Sequence, residues 1–226
     1  MIKAPTSDRV TFDLFDRVNR GGTRLNNQEM RNALYQGNAT ELINKLAKKK
    51  VFVEATEHTI PDNHMKDRYM VLRFVAFYLW QEHITIDPDT NELLEYRSNL
   101  EDFLGKTMRF LNRLNPEDNV FKELDFRFTH AMELSMQLLS FGGFRLPSSP
   151  GKKRPINMAF FESFSYLLSK LNGDGEYFYN QIHEIYRQLM CNRAYLDTLT
   201  RSVDSGKQTV RRYEIINKLI NELNLC

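Results

Sequence analysis

Residues 69–80 read Tyr69-Met-Val-Leu-Arg-Phe-Val-Ala-Phe-Tyr-Leu-Trp80, and they would be apolar on nearly every side of a helix. A helix that is hydrophobic all round lies at the centre of a protein, with other helices packed around it. The stretch is shorter than the roughly 20 apolar residues that a membrane span needs. It therefore predicts the central helix of an all-α bundle.

Arg73 is the one charged residue inside this apolar stretch. A buried arginine needs a carboxylate or several carbonyl groups as partners, because an unpaired buried charge is very costly. We therefore predict that Arg73 forms a structural ion pair in the core.

Apolar residues at helical spacing recur on both sides of the central stretch. They run through residues 38–46, 100–114, 121–139, 160–171, 178–189 and 210–223. Asn115-Pro116-Glu117-Asp118 predicts a helix start, with Asn115 as the N-cap and the proline at the first helical position. No segment shows convincing alternation with a period of two residues. The sequence therefore predicts an all-α, multi-helix bundle of roughly eight to ten helices.

Length and composition favour one soluble helical domain over residues 1–226. Residues 145–155, Arg-Leu-Pro-Ser-Ser-Pro-Gly-Lys-Lys-Arg-Pro, form a basic, proline-rich loop and are the candidate sub-boundary. The net charge is +2, from 31 basic and 29 acidic residues. Because basic and acidic residues are nearly equal in number, the overall charge does not favour bulk binding of nucleic acid, and any anion site must be local.

The same composition bears on the compartment. Two cysteines, Cys191 and Cys226, are too few for a disulfide framework, which favours a reducing cytoplasm. The first eight residues lack the apolar region of a secretory signal, and no apolar run is long enough to cross a bilayer. We expect a cytoplasmic protein without a membrane partner.

A glycine pair flanked by arginines lies in Arg17-Val-Asn-Arg-Gly-Gly-Thr-Arg-Leu-Asn-Asn-Gln-Glu-Met-Arg-Asn-Ala-Leu-Tyr35. Asn26 is a good N-cap, and Glu29 stands at the capping-box position three residues later. One interpretation is a capped joint between two helices. The other is an anion site, because helix-start N–H groups, glycines and guanidinium groups together can hold a phosphate or carboxylate.

This stretch also resembles the central signature of the GmrSD-type restriction proteins, the family known as domain of unknown function 262. Two further segments are similar to the same family: residues 70–77, and residues 144–145 with 151–162, which read Phe-Arg and Gly-Lys-Lys-Arg-Pro-Ile-Asn-Met-Ala-Phe-Phe-Glu. The segments occur in the family's order and span most of the chain. The family's ParB/sulfiredoxin-like N-terminal half carries an Asp-Gly-Gln-Gln-Arg motif, which does not occur in this sequence. The resemblance therefore implies the helical C-terminal half alone, without the ParB-like α+β core.

The resemblance also implies a nucleotide-binding role for the glycine-pair stretch, which would pack against the ParB-like core. The nucleotide would be GTP or ATP in the complete protein. The residues that we expect to contact the nucleotide or its phosphates are Arg17, Asn19, Gly21, Gly22, Arg24, Gln28 and Arg31.

Four basic residues are candidates for contact with a DNA backbone. Lys152, Lys153 and Arg154 lie in the proline-rich loop, and Lys207 lies at a predicted helix start. The alternative for the loop is a solvated surface run, since one short basic run is weak grounds for DNA binding. Ser205-Gly206-Lys207 superficially resembles a phosphate loop, but Gln208 replaces the hydroxyl residue that would bind magnesium. The scattered histidines predict no metal site.

Three functions compete. The first is a helical module of a GmrSD-type anti-phage restriction protein, which docks on a separately encoded ParB-like half and contributes to nucleotide or DNA binding, or is a remnant of such a protein. The resemblance implies that complete members of the family cleave or sense modified phage DNA in a nucleotide-dependent way. This chain alone is not expected to be an enzyme. The second is a stand-alone DNA-binding protein that uses residues 152–154 and the last helix. The third is a weak nucleotide hydrolase. Apolar surface left by a missing half would favour a homo-oligomer.

Overall fold

The computed structural model describes residues 25–61, 63–149, 152–173 and 175–223, except for the side chain of Phe141. Within them the chain folds into ten α-helices and two short 3-10 turns, Asn63–Met65 and Met136–Phe141. The helices are α1 (Asn27–Leu34), α2 (Asn38–Ala47), α3 (Lys50–Ala55), α4 (Lys66–Gln81), α5 (Leu100–Arg113), α6 (Asn119–Ser135), α7 (Met158–Lys170), α8 (Gly175–Cys191), α9 (Arg193–Thr200) and α10 (Gly206–Leu223). These described residues contain no strand, and one isolated bridge joins Ile86 to Leu93. The prediction of an all-α bundle is confirmed.

Helix α4 is the central helix, as residues 69–80 predict. Every residue from Met70 to Leu79 is buried. The helix packs against α1, α2, α5 and α7, so neighbours surround it. Phe77 lies within 5.5 Å of Tyr96, Phe103 and Tyr213, measured between ring centroids. Through these contacts, elements that are far apart in sequence pack against one helix.

A second group of aromatic rings joins α3, α4 and α6. Phe128 is fully buried, and its ring centroid lies 5.6 Å from that of Phe52 and 5.1 Å from that of Phe74. Buried aromatic rings contribute large apolar area and a further favourable ring–ring term. Helix α7 packs against both α6 and α4.

The buried core continues past the proline-rich loop. Phe144, just before the loop, packs against Phe161 of α7 with ring centroids 4.8 Å apart. The backbone N–H of Asn157, just after the loop, donates to the carbonyl oxygen of Phe144 at 3.0 Å. Buried residues on both sides of the loop belong to one apolar cluster.

The helix start predicted at Asn115 is wrong by one turn. Helix α6 begins at Asn119, and Asp118 is its N-cap, with Oδ1 accepting from Val120 N at 2.9 Å. Asn115 instead uses its side chain to accept from Glu117 N at 3.0 Å, which makes a local turn. Asparagine and aspartate side chains form both helix N-caps and local turns. The residue type alone therefore does not tell which of the two Asn115 forms.

None of the described helices combines the length and the apolar character that a membrane span requires. The longest of them, α10, is amphipathic: Tyr213, Ile216 and Ile220 lie on its buried side, and most of its charged residues are exposed.

Alkaline pH should unfold the protein through its tyrosines. Burial raises the pKa of seven of the ten tyrosines above the ordinary value of 10, and that of Tyr96 reaches about 12. The unfolded chain loses these protons first, so stability is full below about pH 10 and falls as the pH rises further. We expect phenolate absorbance in a fast and a slow phase, with the slow phase tracking loss of helical circular dichroism. Ionisation of all ten tyrosines in one phase, with the helices intact, would contradict this account.

Candidate functional site

The start of α1 is closed by the predicted capping box. Asn26 Oδ1 accepts from the backbone N–H groups of Gln28 and Glu29 at 2.8 and 2.9 Å, and Asn26 N donates to Glu29 Oε2 at 2.7 Å. The capped-joint interpretation is thus confirmed for the helix start. These N–H groups already have partners, so an anion at this end must be bound by side chains or by other backbone groups.

Two of the residues predicted to contact a nucleotide, Gln28 and Arg31, are buried and bonded to each other. Arg31 donates from Nε and Nη2 to Gln28 Oε1 at 3.1 and 3.0 Å, and its Nη1 forms an ion pair with Glu101 of α5. The guanidinium group therefore anchors α1 to the bundle. The other five residues of that set, Arg17, Asn19, Gly21, Gly22 and Arg24, lie outside the described residues.

Arg31 is also one end of a chain of buried polar contacts. The guanidinium carbons of Arg31 and Arg73 each lie 5.6 Å from the ring centroid of Tyr69. Arg73 Nη1 donates to the Tyr69 hydroxyl at 3.0 Å, its Nε pairs with Glu162 at 2.5 Å, and its Nη2 pairs with Asp204 at 2.8 Å. The predicted structural ion pair of Arg73 is confirmed.

Glu162 completes this chain on the other side. Arg212 Nη2 lies 2.9 Å from Glu162 Oε1, and both side chains are fully buried. We call Arg31, Tyr69, Arg73, Glu162 and Arg212 the buried charge network. Burial raises the pKa of Glu162, and the two guanidinium groups oppose that rise. Burial alone would lower the pKa of Arg73, but the carboxylate of Glu162 raises it well above its ordinary value.

Sequence reasoning missed the role of Arg212 as a partner of Glu162. A signal was present, because Arg212 stands four residues before Ile216 and eight before Ile220, on the buried side of α10. A charged residue on an apolar helix face predicts a buried ion pair, as Arg73 does.

The buried charge network joins one described residue from each of the three segments on which the expected resemblance rests. Arg31 belongs to the glycine-pair segment, Arg73 to residues 70–77, and Glu162 to residues 151–162. Arg73 and Glu162 are 89 positions apart in the chain. The three segments therefore meet in space through their charged residues.

A surface groove borders the network beside α1. It has a volume of about 720 Å³. Its walls are formed by Leu25, Asn26, Asn27, Gln28, Met30, Arg31, His64, Lys66, Tyr69 and Glu101. We call it the α1 groove. Its floor is polar and buried at Gln28 and Arg31, while Lys66 at the rim is exposed.

The predicted DNA-contact loop is partly held by an acidic residue. Lys153 Nζ pairs with Glu57 Oε1 at 2.7 Å, and the buried Arg145 pairs with the same carboxylate. Burial alone would raise the pKa of Glu57, but the hydrogen bond from Lys153 and the charge of Arg145 lower it overall. Lys152 and Arg154 are exposed beside a cleft of about 510 Å³. Lys153 is exposed as well, but unlike these two residues it is paired with a carboxylate.

Lys207, the fourth predicted DNA contact, is exposed in the first turn of α10. Protein groups bind the helix-start N–H groups beside it: Ser98 Oγ accepts from Gly206 N at 2.6 Å, and Ser205 Oγ accepts from Gln208 N at 3.3 Å. An anion here would therefore interact mainly with the Lys207 ammonium group. Across the described part of the chain, no cluster of three or more histidine, cysteine or acidic residues has the arrangement of a metal site.

Comparisons of the chain with models of protein families, with curated proteins and with solved structures found no match.

Proposed function

We propose that this chain is the helical module of a GmrSD-type anti-phage protein. In this role it docks on a ParB-like half, in the same polypeptide or a separate one, and contributes to nucleotide or DNA binding. The observation that carries the proposal is the meeting of the three resembling segments at the buried charge network.

The network gives α1 a rigid attachment. Arg31 joins α1 to α5 through Glu101 and contacts Tyr69 of α4, while Arg73 and Glu162 join α4 to α7. A surface that is already ordered loses less conformational entropy when a partner binds. Helix α1 is thus suited to form part of the surface that a docked half contacts.

Co-purification tests the docking. The reading frames beside the gene should include one that encodes Asp-Gly-Gln-Gln-Arg, and that protein, carrying an affinity tag, should retain this chain on a column. Ala33 is exposed on α1, so Ala33→Arg should abolish retention, whereas Glu133→Arg, on the exposed side of α6, should not. If no neighbouring frame encodes the motif, the separate-gene form of the proposal loses its main support. Equal retention of both variants would exclude α1 from the interface.

A second candidate function is DNA binding by the proline-rich loop, favoured by the exposure of Lys152 and Arg154 beside the cleft. Replacing Lys152, Lys153 and Arg154 together by alanine should weaken binding to duplex DNA. The slope of log K against log salt should fall by about one for each DNA phosphate that the variant no longer neutralises. Fluorescence anisotropy across a salt series measures both quantities.

The structure predicts which single substitution in this loop should affect DNA affinity least. Lys153→Ala should have the smallest effect, because that lysine already pairs with Glu57. Lys122→Ala, at an exposed position of α6, is the control and should leave DNA affinity unchanged. Unchanged affinity in the triple variant would remove this second function.

A further inference from the structure

A second groove lies between α2 and α6. It has a volume of about 590 Å³, and we call it the α2–α6 groove. The two helices run along it in the same direction. At one end, Asn38 Nδ2 donates to the carbonyl oxygen of Leu114 at 2.9 Å. At the other end, Lys49 Nζ donates to Thr129 Oγ1 at 2.7 Å. The starts of α2 and α6 therefore lie at the same end of the groove.

The end of the groove at which both helices begin is acidic. Glu41, in the first turn of α2, is exposed and lines the groove. Glu117 is exposed next to Pro116, which also lines the groove. Asp118, the N-cap of α6, follows directly. Together these carboxylates give this end of the groove a negative charge.

The opposite end is basic. Lys45 and Lys49 both pair with Asp125, at 3.3 and 2.7 Å, so two ammonium groups share one carboxylate. Lys48 is exposed beside them, and Lys122 lies on the α6 wall between the two ends. The groove is therefore bipolar, negative where the helices begin and positive further along.

Phe126 is a large exposed aromatic residue on the α6 wall of this groove. Its side chain is 57% exposed, although its ring is held by two neighbours. The ring stacks on that of His130, with centroids 5.9 Å apart and planes 2° apart, and the guanidinium carbon of Arg127 lies 5.6 Å from its centroid. A ring that is already ordered loses little conformational entropy on binding, and aromatic anchors dominate the binding energy of interfaces.

The exposed ring is needed to interpret the charge pattern. Acidic residues at helix starts and basic residues at helix ends also complement the helix dipoles, so this distribution alone does not indicate a partner. An ordered aromatic side chain between the two charged ends does, because aromatic residues are enriched at the centres of protein interfaces.

We propose that the α2–α6 groove is a self-association surface, and that its occupant is a second copy of this chain related by a two-fold axis. Such an axis across the middle of the groove brings the acidic end of each copy against the basic end of the other. Glu41 of one copy then faces Lys45 of its partner, and both Phe126 rings are buried. A groove of a single sign would instead repel its own copy.

This inference goes beyond the docking function, because the surface lies on α2 and α6 rather than on α1. The dimer should be weak. Eleven residues line the groove, fewer than the roughly 20–30 on each side of a standard interface. We expect a dissociation constant on the order of 10⁻⁵–10⁻⁴ M.

Sedimentation equilibrium of the purified chain tests the surface. Between about 1 μM and about 1 mM, a range that brackets the expected dissociation constant, the average mass should rise from that of one chain toward that of two. Association should weaken as salt is raised, because opposite charges meet across the interface.

Three single variants should weaken the dimer. Phe126→Ala removes the anchor and should raise the dissociation constant by more than about tenfold, since a two-fold interface loses each contact twice. Glu41→Lys and Lys45→Glu each place like charges opposite one another and should have effects of similar size. Glu214→Lys, at an exposed position of α10, repeats the charge change of Glu41→Lys away from the groove and should leave the dimer unchanged. Circular dichroism checks that each variant folds.

Exchange of charges identifies the two-fold pairing. An equimolar mixture of Glu41→Lys and Lys45→Glu places opposite charges at both contacts, so mixed dimers should form more tightly than dimers of either variant alone. The double variant with both substitutions should associate as the unaltered chain does, to within a few-fold. A different protein bound in the groove would show neither recovery.

Several results would overturn this surface. They are a chain that stays monomeric at the highest concentration and low salt, a dimer that Glu41→Lys or Phe126→Ala leaves unchanged, or a mixture and a double variant without recovery. If Lys45→Glu does not fold, Glu41→Lys and Phe126→Ala decide. Every measurement uses this chain alone, so failure here leaves the docking proposal standing, and failed docking leaves this surface standing.

Discussion

Glu162→Gln should lower the free energy of unfolding by about 3–5 kcal/mol, because it removes the carboxylate that the buried Arg212 pairs with and leaves the buried Arg73 with only the half-exposed Asp204. Arg73 and Arg212 contact Glu162 from opposite elements, α4 and α10, and all three side chains are at least 95% buried. Glutamine keeps the shape of the side chain, so the effect comes from the missing charge rather than from a cavity. Urea unfolding followed by circular dichroism measures this decrease.

A matched control distinguishes the loss of stability caused by disrupting the network from any general effect of removing a carboxylate. Glu133 is exposed on α6, and Glu133→Gln should change the free energy of unfolding by less than about 0.5 kcal/mol. A cost below about 1 kcal/mol for Glu162→Gln would show that the two arginines do not depend on its charge.

Phe128→Ala should be as damaging, with a decrease of about 3–5 kcal/mol, because it removes a fully buried ring between α3, α4 and α6. The ring centroids of Phe52 and Phe74 lie 5.6 and 5.1 Å from that of Phe128, so both rings would border the space that the variant leaves. The same urea experiment measures this change, and a lower melting temperature should accompany it.

The chain offers a close control two residues earlier on the same helix. Phe126 is 57% exposed, so Phe126→Ala removes the same atoms from a largely solvated position. Its expected effect is within about 0.5 kcal/mol of zero, and alanine's better helix propensity favours the variant slightly. Equal decreases in stability for the two variants would contradict the assignment of Phe128 to the core.

The features that the sequence predicted well are local ones. The apolar run of residues 69–80 predicted the central helix, because a helix that is hydrophobic on all sides must be covered on all sides. Asn26 and Glu29 predicted the capping box, because that motif needs only residues three apart. Arg73 predicted its own ion pair, since a charge within a buried helix requires a partner.

The partners of these residues were not predictable in the same way. The chain has 29 acidic residues, and no local rule selects Glu162 as the partner of Arg73 across 89 positions. That pairing depends on how α4 and α7 pack. Likewise, the contact of Lys153 with Glu57 depends on the path of a loop. That Gln28 Nε2 has no hydrogen-bond partner among the described residues becomes evident only when the neighbours of Arg31 are known.

The docking of a ParB-like half through α1 is the central claim, and hydrogen–deuterium exchange tests it most directly. The exchange rates of the backbone amides would be measured for this chain alone and again after addition of a ParB-like half that carries Asp-Gly-Gln-Gln-Arg. The account predicts slower exchange in α1 (Asn27–Leu34) and at the start of α4, with no change in α8 (Gly175–Cys191). A complex that leaves exchange in α1 unaltered, or no complex at tens of micromolar, the weak end of specific association, would contradict it.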